Sequence, residues 1–152
     1  LQLFFFYYGL PFVPVIGKHL MFDRFETAVV AFVLNYAAYF SEIFRGGLLS
    51  IDKGQYEAAQ VLGFSKLQRT IHIIIPQMVK VVLPSVANES INLVKDTALV
   101  TAIGVLELLH YTKATVNRDA NVTAFVIAAA FYLVMTLVLT KLYKWLEKKY
   151  AF

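Results

Sequence analysis

Cysteine is absent from this 152-residue sequence, and charged residues make up only 16% of it. Without cysteine the chain has no disulfide, no thiol nucleophile and no thiolate ligand for a metal. Soluble domains carry about 25% charged residues, so the low fraction argues against an ordinary soluble surface. The net charge is +4, but Lys and Arg form no continuous block, which argues against nucleic acid as a partner.

Apolar residues are correspondingly abundant and make up 59% of the chain, against about 45–50% in average domains. A soluble fold of this size lacks the interior volume to hide them, whereas a lipid membrane supplies apolar solvent on the outside. We therefore predict an all-α polytopic membrane bundle, a single domain over residues 1–152. The apolar run Leu1–Tyr8 is interpreted as the end of an upstream membrane helix, so we expect the chain to be incomplete at its N-terminus.

Three membrane passages are predicted: Phe25–Phe44, Ile71–Leu109 and Val122–Tyr143. A membrane-spanning helix needs roughly 20 residues, and Gly46-Gly47 is predicted to end the first. The second is expected to be kinked or discontinuous, because Pro76 and Pro84 each remove a backbone donor. Gly9–Arg24 and His110–Asn121 are predicted loops.

The polar stretch Gly46–Arg69 is predicted to form a helix, a tight turn and a second helix outside the membrane. Gln55–Leu62 has the length of a short helix, and Gly63 is placed to close it with a left-handed residue. The residues Ser65-Lys66-Leu67-Gln68 have the form of a capping box, in which a second helix begins. This stretch and the tail with its four lysines carry more basic residues than the other two loops, which predicts that both are cytoplasmic.

One spacing carries chemical meaning beyond these patterns. Glu57-Ala58-Ala59 is followed after three residues by Gly63, and after nine more by Ile73-Ile74-Ile75-Pro76. This resembles the EAA loop of ABC importer permeases, except that Ile75 stands where the family pattern has Leu. Further runs resemble the polar amino-acid uptake branch of that family: Tyr7–Pro11, Tyr39–Gly47, Gly54-Gln55, Leu83-Pro84 and Lys95-Asp96-Thr97.

The resemblance implies one half of a translocation pathway in a bacterial or archaeal cytoplasmic membrane, with the C-terminus in the cytoplasm. Its implied partners are ABC ATPase subunits that bind ATP and Mg, a second permease subunit (identical or paralogous), and an extracytoplasmic substrate-binding protein. The chain itself is expected to bind no cofactor or metal and to have no catalytic residue.

The residues expected to couple to the ATPase are Glu57, Ala58, Ala59 and Gly63. A short helix parallel to the membrane can enter a groove on a partner, and Ala58 and Ala59 would keep it slim enough for close approach. Gly63 would reverse the chain. Glu57 lies one turn from Lys53, so it can pair with that lysine or stay solvated.

A polar stripe within the second passage is the candidate for the substrate pathway: Asn88, Glu89, Asn92, Lys95 and Asp96. Ionisable residues at membrane depth are costly and usually face a bundle interior or a water-filled cavity. A structural reading stands beside this one. Asp96 would cap a helix starting near Thr97, Lys95 would extend to the membrane surface, and the asparagines would bond to packed helices.

Two rival functions remain open at this point: an importer permease for another small solute, and a non-transporting membrane anchor or assembly subunit. An anchor needs no docking helix of this form. An enzyme is disfavoured, since the sequence shows no nucleophile–base set, metal cluster or phosphate loop.

Overall fold

The computed structural model describes residues 1–14, 17 and 22–150, and within these residues all regular structure is helical. The α-helices are α1 (Gln2–Phe4), α2 (Arg24–Leu49), α3 (Lys53–Val61), α4 (Lys66–Arg69), α5 (Ile75–Asp96), α6 (Leu108–Asp119) and α7 (Thr123–Tyr150). Two π-helical turns, Phe5–Gly9 and Thr70–Ile74, and two 3-10 segments, Leu10–Phe12 and Thr97–Ile103, lie between them. The predicted all-α class is confirmed. Part of the predicted Gly9–Arg24 loop lies outside the described residues.

Three helical stretches are long and apolar enough to cross a membrane: Arg24–Leu49, Lys66–Ile103 and Thr123–Tyr150, with 26, 38 and 28 residues. A passage requires roughly 20 residues, so each has sufficient length. The three predicted passages are confirmed by this length and composition. The lysine-rich tail is not a separate element, because α7 continues through it to Tyr150.

The predicted helix break at Gly46-Gly47 is wrong, since α2 runs through both glycines to Leu49. Gly47 serves close packing instead. A Cβ atom added there would lie 2.2 Å from Cγ1 of Val82 and 3.1 Å from Cγ of Met78. Only a residue without a side chain fits such an approach between α2 and α5.

The second passage is interrupted by changes of helical form rather than by a gap. The π-helical turn Thr70–Ile74 precedes α5, and Pro76 is the second residue of α5. In a regular α-helix the proline ring would meet the carbonyl four residues earlier, and the π turn widens the backbone there. The predicted end at Leu109 is wrong, because the stretch ends at Gly104, which has a φ of +77°.

The segment predicted as a polar loop, His110–Asn121, is mostly helix, because α6 covers Leu108–Asp119. The carboxylate of Glu107 accepts hydrogen bonds from the backbone amides of Leu109 and His110 at 2.7 and 2.6 Å. These bonds satisfy two amides that have no partner within the helix. The side chain of Glu107, just before α6, thus stabilises the start of a helix in this polar stretch.

The contacts divide the chain into two compact units: Leu1–Tyr36 with Ile91–Val138, and Ala37–Ser90 with Leu139–Phe152. We call them the first and second unit. In the first unit Ala28, Val100 and Ile103 form a buried cluster. In the second unit Ala59 and Ile74 are each 1% exposed, and Val82 is buried near Gly47.

Candidate coupling site and polar stripe

The short helix α3 has a well-defined start and end. At its start the carboxylate of Asp52 accepts a hydrogen bond of 2.6 Å from the amide of Gly54. At its end Gly63 adopts a φ of +77°, and the amide of Phe64 donates to the carbonyl of Ala59 at 3.0 Å. The predicted reversal at Gly63 is confirmed. The helix itself covers Lys53–Val61 rather than the predicted Gln55–Leu62.

A capping box opens the helix that follows, as predicted. The amide of Gln68 donates to Oγ of Ser65 at 3.3 Å, and the amide of Ser65 donates to Oε1 of Gln68 at 2.9 Å. The reciprocal bonds satisfy two backbone amides at the start of α4. The chain therefore leaves α3 and enters α4 through a turn fixed on both sides.

One face of α3 packs on its own chain. Oε1 of Gln55 accepts a hydrogen bond of 3.2 Å from Nε2 of Gln77, and the guanidinium of Arg69 lies 5.1 Å from the centre of the Tyr56 ring. Ala59, one turn beyond Gln55, is 1% exposed. The side chain of Ala59 is therefore buried in its own unit, and the close approach that its small size allows is to its own chain.

The opposite face of α3 is open. Glu57 and Ala58 are exposed, Val61 is 86% exposed, and Leu62, just after the helix, is 73% exposed. Glu57 and Val61 are one helical turn apart, so they share a side of the helix. We call Glu57, Ala58, Val61 and Leu62 the docking face. Clustered exposed apolar side chains in a segment outside the spans are typical of protein-interaction sites.

The polar stripe on α5 is divided between the two units, and each part is described by itself. Asn88 and Glu89 belong to the second unit, where Asn88 is exposed and Glu89 half-buried. Neither side chain hydrogen-bonds to another residue within the described ranges. Polar groups without a protein partner at membrane depth require water, solute or another chain.

In the first unit Asp96 does not cap the helix after it. The 3-10 segment that starts at Thr97 has no side-chain cap bond. Instead, Oδ2 of Asp96 accepts a hydrogen bond of 2.8 Å from the hydroxyl of Tyr36. Asn92 is half-buried and Lys95 is exposed, and neither bonds to another described side chain.

A cavity of about 150 Å³ adjoins Asp96, and its polar lining includes Gln2 and Asn35. Apolar side chains complete its walls: Leu1, Leu3, Ala31, Phe32 and Leu99. The sequence prediction did not include Asn35 or Tyr36. A signal for Asn35 was present, because it is an amide in the middle of an otherwise apolar passage, where polar residues tend to be functional.

Comparison with known proteins shows the family to which the chain belongs. The family described as "Binding-protein-dependent transport system inner membrane component" matches residues 3–152. The chain belongs to this family.

Curated relatives of this family member include two permeases of Bacillus subtilis (strain 168). The probable glutamine ABC transporter permease protein GlnM is 35% identical over 147 residues, which cover 96% of this chain and 66% of GlnM. The arginine transport system permease protein ArtQ is 40% identical over 150 residues, covering 98% of this chain and 67% of ArtQ. The chain thus spans about two thirds of the length of the curated relatives it matches.

A solved structure, described as the crystal structure of an amino acid ABC transporter with histidines, has the same fold. Its TM-score is 0.84 at 34% identity, over 97% of this chain and 67% of that chain. The family and the three apolar helices make this chain a multi-pass inner-membrane protein.

The sequence analysis did not identify one structural feature of this inner-membrane component. Besides the two amides of α6, the carboxylate of Glu107 accepts hydrogen bonds from Oγ1 of Thr101 and, at 3.1 Å, from the hydroxyl of Tyr132. Burial disfavours the charged carboxylate, but the hydrogen bonds outweigh burial and lower the pKa of Glu107 below its ordinary value. One side chain therefore ties the end of the second passage to both α6 and α7.

Proposed function

We propose that this chain forms half of the translocation pathway of an ATP-driven importer and couples to a cytoplasmic ATPase through the docking face of α3. The observation that carries the proposal is the division of α3 into two faces. Its inner face is fixed by Gln77 and Arg69, and its outer face exposes apolar side chains at the surface. A rigidly held helix with an open apolar face can transmit a partner's movement to α5.

The partners in this proposal follow from the family. They are two ATPase subunits that hold ATP and Mg, a second permease subunit, and an extracytoplasmic protein that delivers the solute. The solute is a polar amino acid, because the relatives are named as glutamine and arginine permeases. The family match does not favour the alternative of a non-transporting anchor, since its members are transport components.

The orientation in this proposal rests on the basic residues. Lys53 and Lys66 lie close to the docking face in the chain, and the lysines of α7 belong to the same unit. Basic residues concentrate on the cytoplasmic side of inner-membrane proteins. The proposal therefore has the C-terminus in the cytoplasm.

The coupling proposal is tested by Ala58→Asp in the assembled transporter. Ala58 is exposed, so a carboxylate there should leave the fold intact but bury a charge in the partner's groove. We expect ATPase retention, the amount of ATPase that co-purifies with the permease, to fall by more than about tenfold. A loss of about 1.4 kcal/mol in binding free energy lowers the affinity tenfold, and an unpaired buried charge costs more than that. Hydrolysis stimulated by the loaded binding protein should fall with it.

The matched control is Ala114→Asp, the same change at an exposed alanine of α6. It should leave ATPase retention and stimulated hydrolysis unchanged. Retention by a cytoplasmic subunit also requires α3 to lie on the cytoplasmic side, so the assay tests the orientation too. Normal retention and stimulation in Ala58→Asp would remove the main support for the proposal.

The pathway in this proposal runs along the polar stripe, Asn88, Glu89, Asn92, Lys95 and Asp96, with Asn35 added by the cavity beside Asp96. Both charge signs and several amides suit a solute that carries a carboxylate and an ammonium group. Replacing Asn92 with Ala, or Asp96 with Asn, should lower transport while assembly and basal ATP hydrolysis persist. The control is Asn117→Ala on the exposed surface of α6; normal transport at normal abundance in both stripe variants would contradict the pathway.

A further inference from the structure

The C-terminal end of α7 carries an excess of positive charge without carboxylate partners. Its last three turns contain Lys141, Lys144, Lys148 and Lys149, all exposed, and one acidic residue, Glu147. Within the described residues none of these lysines forms an ion pair. Uncompensated charge of this density on one helix end favours an anionic partner.

The rotation of this helix is fixed by a bond to its neighbour. The hydroxyl of Tyr143 donates to Oγ of Ser90 on α5 at 2.7 Å, and Ser90 donates in turn to the carbonyl of Val86 at 2.8 Å. Both partners belong to the second unit. The side of α7 that carries Tyr143 therefore faces the protein, and the opposite side faces away from it.

Helical geometry places the lysines on that opposite side. At about 100° per residue, Lys144, Lys148 and Lys141 lie roughly 100° to 160° around the helix from Tyr143. Trp145 and Lys149 continue the same face, at roughly 200° and 240°. Glu147 lies only about 40° from Tyr143, so the acidic side chain is on the side of α7 that faces the protein and not on the basic face.

An aromatic anchor completes this surface. Trp145 is 56% exposed, and Nζ of Lys149 lies 5.2 Å from the centre of its ring. Tryptophan prefers the headgroup level of a membrane, and α7 enters this region directly from the third membrane-spanning stretch. We propose that Lys141, Lys144, Lys148 and Trp145 form a docking surface for anionic phospholipid headgroups of the membrane leaflet at that end of α7.

Phosphate headgroups fit the surface better than an acidic protein does. The lysines lie on the side of α7 opposite Tyr143, at one end of a helix that is long and apolar enough to span a membrane, and the headgroup layer begins where such a span ends. Flexible ammonium groups bind phosphate as point charges without a fixed geometry, and basic residues next to a span are attracted to anionic leaflets within a Debye length.

The test uses the single tryptophan of this chain as the probe. The intact permease, with any tryptophan outside this chain replaced by Phe, is reconstituted into nanodiscs that contain brominated phosphatidylglycerol or brominated phosphatidylcholine. Bromine quenches the fluorescence of Trp145 at short range. We expect phosphatidylglycerol to be preferred by at least about fivefold at low salt, and the preference to shrink in 0.5 M KCl as screening increases.

The decisive variant is the triple change Lys141→Gln, Lys144→Gln and Lys148→Gln, which should abolish the preference. The triple change to Arg keeps the charge and should retain it. A control removes the same charge elsewhere through Lys53→Gln, Lys66→Gln and Lys113→Gln, and should keep the preference.

Three outcomes would overturn the proposal. They are equal quenching by both lipids in the unmodified protein, an unchanged preference in the Gln variant, and an equal loss in the control. A loss of ATPase retention in the Gln variant without a headgroup preference would assign the surface to an acidic protein instead. Equal melting temperatures of the variants exclude misfolding as the cause.

Discussion

The two short helices outside the membrane spans, α3 and α6, are held in place by opposite means. The nine residues of α3 are fixed by burial of Ala59, by the amide pair of Gln55 and Gln77, and by the stacking of Arg69 on Tyr56. The first turn of the twelve-residue helix α6 is fixed by one carboxylate, that of Glu107. Packing distributes the stabilisation of α3 over several side chains, whereas the start of α6 is held by a single charged residue.

The largest loss of stability should come from replacing Ala59, the most buried residue of α3. We expect Ala59→Asp to cost several kcal/mol, since an unpaired carboxylate would be buried, and to prevent stable folding of the second unit. Ala58→Asp, at the neighbouring exposed position, should cost less than about 1 kcal/mol. The yield of folded protein and the melting temperature in detergent measure the difference; equal values for the two variants would show that α3 has no packed inner face.

A smaller loss is expected from Glu107, because its removal affects polar contacts only. Glu107→Ala should destabilise the first unit by about 2–3 kcal/mol, since a cap contributes about 0.5–2 kcal/mol and unsatisfied donors cost about 1–3 kcal/mol. Thermal unfolding of the purified protein checks this value. Glu147→Ala, at another partly buried glutamate, which caps no helix within the described residues, is the control and should change the melting temperature by less than half as much.

The same carboxylate predicts a pH dependence. Because the folded pKa of Glu107 is lowered from the ordinary 4.5, its contribution is complete above pH 4.5 and is lost as the pH falls through the lowered pKa. The unmodified protein should therefore lose stability in that acidic range, and Glu107→Gln should lose less. Parallel acid unfolding curves of the two proteins would argue against the hydrogen-bonded carboxylate.

The smallest effects concern how the two helices end, and they have opposite signs. Gly63 after α3 has a φ of +77° with no atom within 4 Å of an added Cβ, whereas Ala120 after α6 has a φ of +50°. Left-handed backbone costs a residue with a side chain about 1–2 kcal/mol. Gly63→Ala should thus destabilise by about 1 kcal/mol, and Ala120→Gly should stabilise by about 0.5–1 kcal/mol. Denaturant midpoints measure both; a stabilising Gly63→Ala would contradict the turn geometry.

The difference between α3 and α6 also explains what the sequence could reveal. Asp52 precedes α3 and Gly63 follows it, and both residue types are common next to helix ends. Gly63 alone was used for the prediction, which gave the bounds of α3 within two residues and its turn correctly. α6 is flanked by Glu107 and Ala120, which are uncommon residue types next to helix ends, and the segment was predicted as a loop. The membrane passages were predictable because length and apolar content suffice.

Tertiary contacts account for the remaining failures. Nothing local distinguishes Ala58 from Ala59, and only the packing of α3 shows which of them is buried. Gly46-Gly47 has the local signal of a helix end, but the approach of Val82 requires glycine within the helix. Tyr36 is sixty positions from Asp96, so their bond could not be read from spacing.

The close contact between Gly47 and Val82 limits the substitutions that this sequence can accept during evolution. Since Val82 fills the space that a methyl group at position 47 would need, neither position is free to vary alone. A substitution of Gly47 by alanine requires a smaller residue at position 82. The two positions should therefore change together, with a larger side chain at 47 accompanied by a smaller one at 82. Descendants that keep this packing are expected to carry a correlated pair at two sites thirty-five positions apart, a signature that neither helix would show by itself.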